Sequence, residues 1–428
     1  MIRIKPTPEV EVTCPKCSRA ATVHKITIYT IFTLADCRCQ NCDFGFYQTL
    51  AHGHTVINTI TIDKSDNKLI GDDESWLPAA LLKVLNGERQ KKISINKIIY
   101  ERHARVVILN ALDFLYGHVL LKLYNALYHL DHHKDVGLVL IIPKSFEWLV
   151  PKGCAEVWIV DVKLSELCYG HASIRQFISL ELERFETVYL SKAYSHPDFT
   201  TINISRLTGV NPFDLETFSR QRQTITFVLR EDRWWLKGRL SYWFYRVCRK
   251  MNVLRIGSQI LSSRQNNLVK KSIRCIQAKW PDANFHITGL GSVGTFRGYA
   301  HDRRKTTVNE SIEGDWCRIY AQSHLVIGVH GSNMLLPTAH AAGCIEILPE
   351  DRYGNIVQDI SVRYADRRQL YFYRFANQYA SPRAVANMAI ATIENFDVFE
   401  KNMCRNLYSR QKNHHPVARP QDDIYATF

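Results

Sequence analysis

The chain has 428 residues, and 55 lysines and arginines against 41 aspartates and glutamates give it a formal net charge of +14. With 46% hydrophobic and 11% aromatic residues it can bury substantial cores, enough for two to three domains at roughly 150 residues each, which excludes intrinsic disorder and coiled coil. Its longest apolar runs, such as Val136–Pro143, fall far short of the roughly 20 residues of a bilayer-spanning helix. The opening MIRIKPTPEVEVTCPKC lacks the uninterrupted apolar stretch of a secretory signal, so a cytoplasmic protein is expected.

Residues 1–65 read as a small β module, because two cysteine pairs flank the strand-forming text Val23–Thr33 and Phe44–Thr61. Cys14-Pro-Lys-Cys17 and Cys39-Gln-Asn-Cys42 are C-x2-C knuckles with 21 residues between them, the template of a zinc ribbon. Four thiolates at that spacing can converge at ~2.3 Å on one tetrahedral Zn2+, and a site closed by four thiolates holds a structural metal rather than a catalytic one. Cys37 lies just outside the second knuckle and could replace Cys39. Five of the twelve cysteines crowd between Cys14 and Cys42 while the rest scatter singly, which fits metal binding in a reducing compartment rather than a disulfide framework. Lys16, Arg19, Lys25 and Arg38 are thinly spread and show no aromatic-basic alternation, so the ribbon reads as a folding or docking module and not as a nucleic-acid reader. Residues 66–98, with Asp66, Asp72, Asp73 and Glu74 ahead of the charged run Glu88–Lys92, read as a linker or a surface helix pair.

From residue 99 the pattern becomes apolar strand, loop, amphipathic helix, apolar strand. Strands are expected at Val106–Leu109, Gly137–Ile142, Glu156–Asp161 and Thr187–Leu190, with a helix from the loop around Gly117 to about Leu130; this order marks a parallel sheet covered by helices. The polar stretch Ser195–Gln223, with Pro197, Gly209 and Pro212, marks a boundary. The pattern then restarts: strands at Ile225–Leu229, Asn284–Thr288, Leu325–Val329 and Cys344–Leu348, helices at Leu261–Trp280 and Trp316–Ser323. The expected fold is therefore α/β, two Rossmann-like domains (99–210 and 211–405) facing a cleft, preceded by the zinc ribbon and followed by a flexible tail, 406–428.

Two segments of the second half carry chemistry. Ile225–Leu229 runs into Arg230-Glu231-Asp232-Arg233, placing two arginines at a strand's carboxyl end, where forked donors can grip a diphosphate. Leu325–Val329 runs into His330-Gly331-Ser332-Asn333, where Gly331 allows close backbone approach and Ser332 or Asn333 can cap a following helix whose free N–H groups would bind an anion. Glu346 interrupts an apolar strand, which is costly unless its carboxylate is bonded; a ribose or sugar hydroxyl is the expected partner.

These segments, with the helix Asp315–Ser323 and the strand Ile345-Glu346-Ile347, resemble the donor half of GT-B glycosyltransferases, particularly the family 61 type. That family usually shows His-Gly-Ala-Gly where this chain has His-Gly-Ser-Asn. The resemblance spans roughly residues 100 to 405 and is motif-level only in the second half. It implies inverting transfer of a sugar from a nucleotide-sugar donor to a carbohydrate or lipid-linked acceptor without a catalytic metal, and no Asp-x-Asp motif for one is present; peripheral membrane contact stays open. The first half would hold the acceptor. Its first strand-to-helix loop carries Asp113, with His118 following, both expected to face the cleft, and either could take the acceptor hydroxyl's proton.

Two other readings compete. Gly289-Leu290-Gly291-Ser292-Val293-Gly294 satisfies G-x-G-x-x-G, with Glu310 or Glu313 near the place of a ribose-binding acid, but the following residues lack the apolar helical period a nicotinamide-binding fingerprint needs, so this is expected to be a loop over the donor site. A non-enzymatic zinc-ribbon protein would instead use the positive surface to bind nucleic acid. The arginines at 363, 367, 368, 374 and 383 read as a solvated face that could steer an anionic acceptor.

Overall fold

The structure is a computed structural model and describes residues 1–71, 75–251, 253–356, 358, 360, 361, 363 and 368–404. Arg367, the acidic residues 72–74 and the tail from 405 onward lie outside the described residues.

The first strand, β1 (Ile2–Lys5), leaves the N-terminal module and pairs antiparallel with an edge of the next sheet. The module itself is an antiparallel meander of β2 (Ala21–Ile28), β3 (Thr33–Cys39), β4 (Gly45–Thr49), β5 (Thr61–Asp63) and β6 (Leu69–Ile70). Its inner face is closed by α1 (Leu77–Asn86), whose Leu77, Leu81 and Val84 recur at helical spacing and pack on Ile31, Phe32, Leu34 and Ile62. Residues 66–98 are thus more than a connection. They supply β6, α1 and most of β7 (Ile95–Ile99), and Glu88 pairs with Arg175 of the first α/β half.

The first α/β half contains β8 (Arg105–Asn110), α2 (Tyr116–His132), β9 (Gly137–Pro143), β10 (Glu156–Val160), α3 (Ala172–Leu182) and β11 (Thr187–Leu190). Strands run in the order β11-β8-β9-β10 in parallel, with β1 and β7 as antiparallel edges. Every residue of β9 and β10 is buried because both faces are covered. Alternate residues divide between two cores: Val107, Leu109, Leu138 and Leu140 face α2, while Val106, Ile108, Val139 and Ile141 face α3 and the cysteine module.

After a short α4 (Ser205–Thr208), the second half begins. It is built from β12 (Thr224–Leu229), α5 (Arg239–Lys250), α6 (Leu254–Gln277), β13 (Asn284–Gly289), β14 (His301–Asp302), α7 (Glu310–Tyr320), β15 (Leu325–Val329), α8 (Leu335–His340), β16 (Gly343–Leu348) and β17 (Tyr373–Asn377). The sheet is wholly parallel, in the order β14-β13-β12-β15-β16-β17. Counted from β12 this is 3-2-1-4-5-6, the doubly wound Rossmann order, and the first half repeats its 3-2-1-4 core. Each sheet therefore has a reversal point, between β8 and β11 and between β12 and β15, and that is where open α/β sheets take ligands.

The two halves share a core. Cys317 of α7 and Leu335, Leu336 and Ala339 of α8 join the cluster of Val119, Leu120 and Leu123 on α2. At the seam a Cβ on Gly117 would stand 2.5 Å from that of Ser332, so the first turn of α2 lies directly against the turn after β15.

Candidate functional site

In the module, Cys14, Cys17, Cys39 and Cys42 each offer a sulfur, and all four lie within 4.8 Å of one another. Cys14 and Cys42 are 3.6 Å apart and Cys17 and Cys39 3.4 Å, close to the ~3.8 Å edge of a tetrahedron of thiolates at ~2.3 Å from a metal. The donor set and the spacing fit one structural metal ion. Cys37 does not join: it is buried in the module's core, its sulfur 3.6 Å from the Ala35 oxygen, and burial pushes its thiol up to about 12.

The reversal point of the second sheet brings the expected residues together. Arg230 leaves the end of β12 and its Nη1 donates to Asn333 Oδ1 at 2.9 Å; Arg233 Nη1 donates to the His330 carbonyl oxygen at 2.6 Å. Gly331 makes the crossing possible. Its φ is 155°, and a Cβ there would stand 2.8 Å from the Nη1 atoms of both arginines. Arg230 also forks onto the Asp232 carboxylate.

Three expectations need correction here. Glu346 does not offer its carboxylate to a ligand: it is fully buried, and Oε2 sits 2.5 Å from His330 Nδ1. His330 is buried too, so this pair fixes the turn from beneath and does not line the cleft. Nor does the turn start a long helix with an anion-binding end. Ser332–Met334 form one 3-10 turn, α8 has six buried residues, and Asn333 is spent on Arg230 rather than on a cap.

Between the halves lies a cleft of 1370 Å3. The second half lines it with Arg230, Gly289–Gly291, Glu313, Ser332 and Asn333, the first with Tyr116, Lys144, Trp148, Asp161 and Lys163. Glu313 is the group sequence reading undervalued. It projects from α7 and accepts a hydrogen bond from Tyr116 Oη of the other half at 2.7 Å. Burial lifts its carboxyl to about 7, partly opposed by the hydrogen bond from Tyr116 and the nearby Trp148 indole. Its partners come from residues almost 200 positions away, so only its spacing after the glycine-rich loop marked it in the sequence.

Asp113 and His118 do not line this cleft. They sit at the reversal point of the first sheet, beneath the module's loop, with His54 Nε2 3.0 Å from His118 Nδ1 and His118 Nδ1 3.2 Å from Asp113 Oδ1. The buried Lys122, one turn after His118 on α2, puts its ammonium 2.9 Å from Asp113 Oδ2. Burial alone would raise the Asp113 carboxyl, but Lys122 and His118 hold it well below the usual carboxylate range. Burial lowers His54 to about 3. His54, Asp113 and His118 have ligand atoms within 4.8 Å of one another, yet the lysine already neutralises the carboxylate, which makes this a buried ion pair pinning the loop.

The glycine-rich loop is occupied from within. Glu231 Oε1 accepts from the backbone N–H groups of Ser292 and Val293 at 2.7 Å each, and a Cβ at Gly291 would meet that oxygen at 2.6 Å. A carboxylate thus stands in the place a dinucleotide's pyrophosphate would need, and no helix follows until α7.

No family model matches the chain, and no curated protein matches it. Among solved structures, one described as a UDP-N-acetylglucosamine 2-epimerase from Listeria monocytogenes is 9% identical over 63% of this chain and 62% of its own, with a TM-score of 0.28. TarM is 10% identical over 92% of this chain and 72% of its own, with a TM-score of 0.25. The chain therefore spans about three-fifths of the first of these. Both likenesses are too distant to assign an activity.

Proposed function

We propose that the protein is a glycosyltransferase that moves a sugar from a nucleotide-sugar donor to a carbohydrate or lipid-linked hydroxyl, with the donor held by the second half. The observation that carries this reading is the meeting of Arg230 with Asn333 at the reversal point of a 3-2-1-4-5-6 sheet, where both line a cleft shared with a second Rossmann half, while Arg233 ties the turn from outside that cleft.

Two anion positions support a diphosphate. One is the Arg230 fork, held by Asp232; the other is the Ser292–Val293 amide pair, held by Glu231. Asp232 is an exposed and therefore weak occupant, whereas Glu231 is half-buried, so a chelating diphosphate has to displace both carboxylates to bind. In the reaction the acceptor oxygen bonds to the anomeric carbon as that carbon's bond to the diphosphate oxygen breaks; the electron pair leaves with the diphosphate, beside Arg230. Glu313, at the seam, is assigned the acceptor proton in place of Asp113 and His118, because it lines the cleft and they do not. A metal-independent displacement follows from giving the leaving charge to guanidinium groups. The four-cysteine cluster is assigned structural zinc, which folds the module whose loop covers the first sheet.

The direct test is a thermal-shift screen with UDP, GDP, ADP and CMP. A ligand at 100 times its dissociation constant stabilises by about 2.7 kcal/mol. One of the four is expected to raise the melting temperature, with Arg230→Ala abolishing the rise; silence from all four would remove the basis of the reading.

A further inference from the structure

Residues 233–281 carry twelve lysines and arginines and not one aspartate or glutamate, in a chain whose whole net charge is +14. This stretch forms α5 and α6, inserted between β12 and β13. Its outer surface is unusual in composition as well as charge. Leu240 is 84% exposed and Trp243 65%, and Met251, just past the helix, is 66% exposed. Arg239, Trp243, Arg246 and Lys250 recur at intervals of four, three and four, so they form one stripe along α5, with Leu240 beside it. The opposite side holds Cys248 in the interior, and the loop entering the helix buries Trp234 and Leu236 against Leu261. The apolar side chains that face water are therefore surplus to the fold.

We propose that this face of α5 is a docking surface for an anionic lipid bilayer. Leu240 and Trp243 would seat at the boundary between headgroups and acyl chains, where indoles concentrate, while Arg239, Arg246 and Lys250 meet lipid phosphates. Charge complementarity selects an anionic partner, and the aliphatic Leu240 and Met251 select lipid over a polynucleotide. A nucleic acid gains from stacked rings and cations but nothing from an exposed leucine. Among the described residues no helix is long and apolar enough to cross a membrane, so the contact is peripheral. Trp243, Arg246 and Lys250 of the stripe also line an 810 Å3 pocket with Arg233, Pro349 and Asp351, so the docking face borders the strand ends of the second half. The proposal stands apart from the sugar-transfer reading.

The test is sedimentation of the full chain with vesicles of phosphatidylcholine alone and of phosphatidylcholine with about 30 mol % phosphatidylglycerol. The chain is expected to pellet with the anionic vesicles and stay in solution with the neutral ones. Leu240→Glu/Trp243→Glu should weaken that binding at least tenfold with an unchanged melting temperature. Arg246→Glu/Lys250→Glu, read the same way, should weaken it most at low salt. No pelleting with anionic vesicles, or pelleting unaffected by the first pair, overturns the proposal. So does binding of a single-stranded RNA oligomer that vesicles fail to displace. Vesicle binding without any nucleotide-induced thermal shift would sink the transferase reading alone.

Discussion

Arg233 Nη1 lies 2.6 Å from the carbonyl oxygen of His330, tying the loop after β12 to the turn after β15 across the reversal point of the sheet. The tie passes over Gly331, where a Cβ would stand 2.8 Å from a guanidinium nitrogen of each arginine and where φ is 155°. Gly331→Ala is expected to displace both side chains, lower stability by about 1–3 kcal/mol and remove any nucleotide-induced shift in melting temperature. Urea unfolding and the thermal-shift screen check the two effects separately. A variant that kept the full nucleotide shift would show that the arginine pair is not the donor grip.

Asp232 competes with a bound diphosphate for Arg230. Its side chain is 66% exposed, so the pair contributes only about 0.2–1 kcal/mol. Asp232→Asn should therefore tighten nucleoside diphosphate binding up to about fivefold, whereas Arg230→Ala should abolish it. Titration calorimetry of both variants gives the answer; weaker binding by the asparagine variant would mean that Asp232 contacts the ligand rather than excluding it.

The strands were legible because buried parallel strands are unbroken apolar runs: Thr187–Leu190 and Leu325–Val329 carry in the structure the bounds their composition predicts. That Arg230 and Asn333 each follow the carboxyl end of a buried strand was legible too; that the two strands are neighbours, so that the side chains meet, was not. What stayed hidden depends on strand order and on distant partners. Asp113 looked like a loop acid facing a cleft, but its environment is set by the buried Lys122 of α2 and by the module's loop, whose His54 meets His118. Glu346 was correctly read as a carboxylate needing a partner; that its partner is His330 follows only from β15 and β16 being adjacent. Helix α5 was missed even though its charged residues recur at helical spacing, because few of its apolar residues enter a core and it has no buried apolar run to mark it.

The cysteine cluster separates two neighbours in one strand. Cys39 points to Cys17 at 3.4 Å, while Cys37, two residues earlier on the same face, is drawn into the core near Ala35. Purified wild-type protein should hold one zinc per chain at this cluster by elemental analysis, Cys37→Ser should keep it, and Cys39→Ser should lose it together with the folded module. Removal by a chelator should produce the same loss of structure, since metal binding and folding are coupled in small modules. Retention of zinc by Cys39→Ser would reassign the third ligand.

Glu313 gives the cleft a pH dependence whose sign can be worked out. Its carboxyl rises from an ordinary 4.5 to about 7 because burial disfavours the charged form. Between those values the folded chain holds a proton that the unfolded chain has released, so this group's contribution is complete below pH 4.5 and is lost as pH rises through 7. The span amounts to roughly 3 kcal/mol. Glu313→Gln cannot titrate, and its stability should therefore decline less than that of the wild type over this window, as measured by urea unfolding at successive pH values. Sugar transfer should run the opposite way: a base must be deprotonated, so the wild-type rate should climb through pH 7 while the glutamine variant loses at least about a hundredfold. Parallel stability curves for the two proteins would place the Glu313 carboxyl in water rather than under Tyr116 and Trp148. A variant retaining full activity would return the search for the base to other groups lining the cleft.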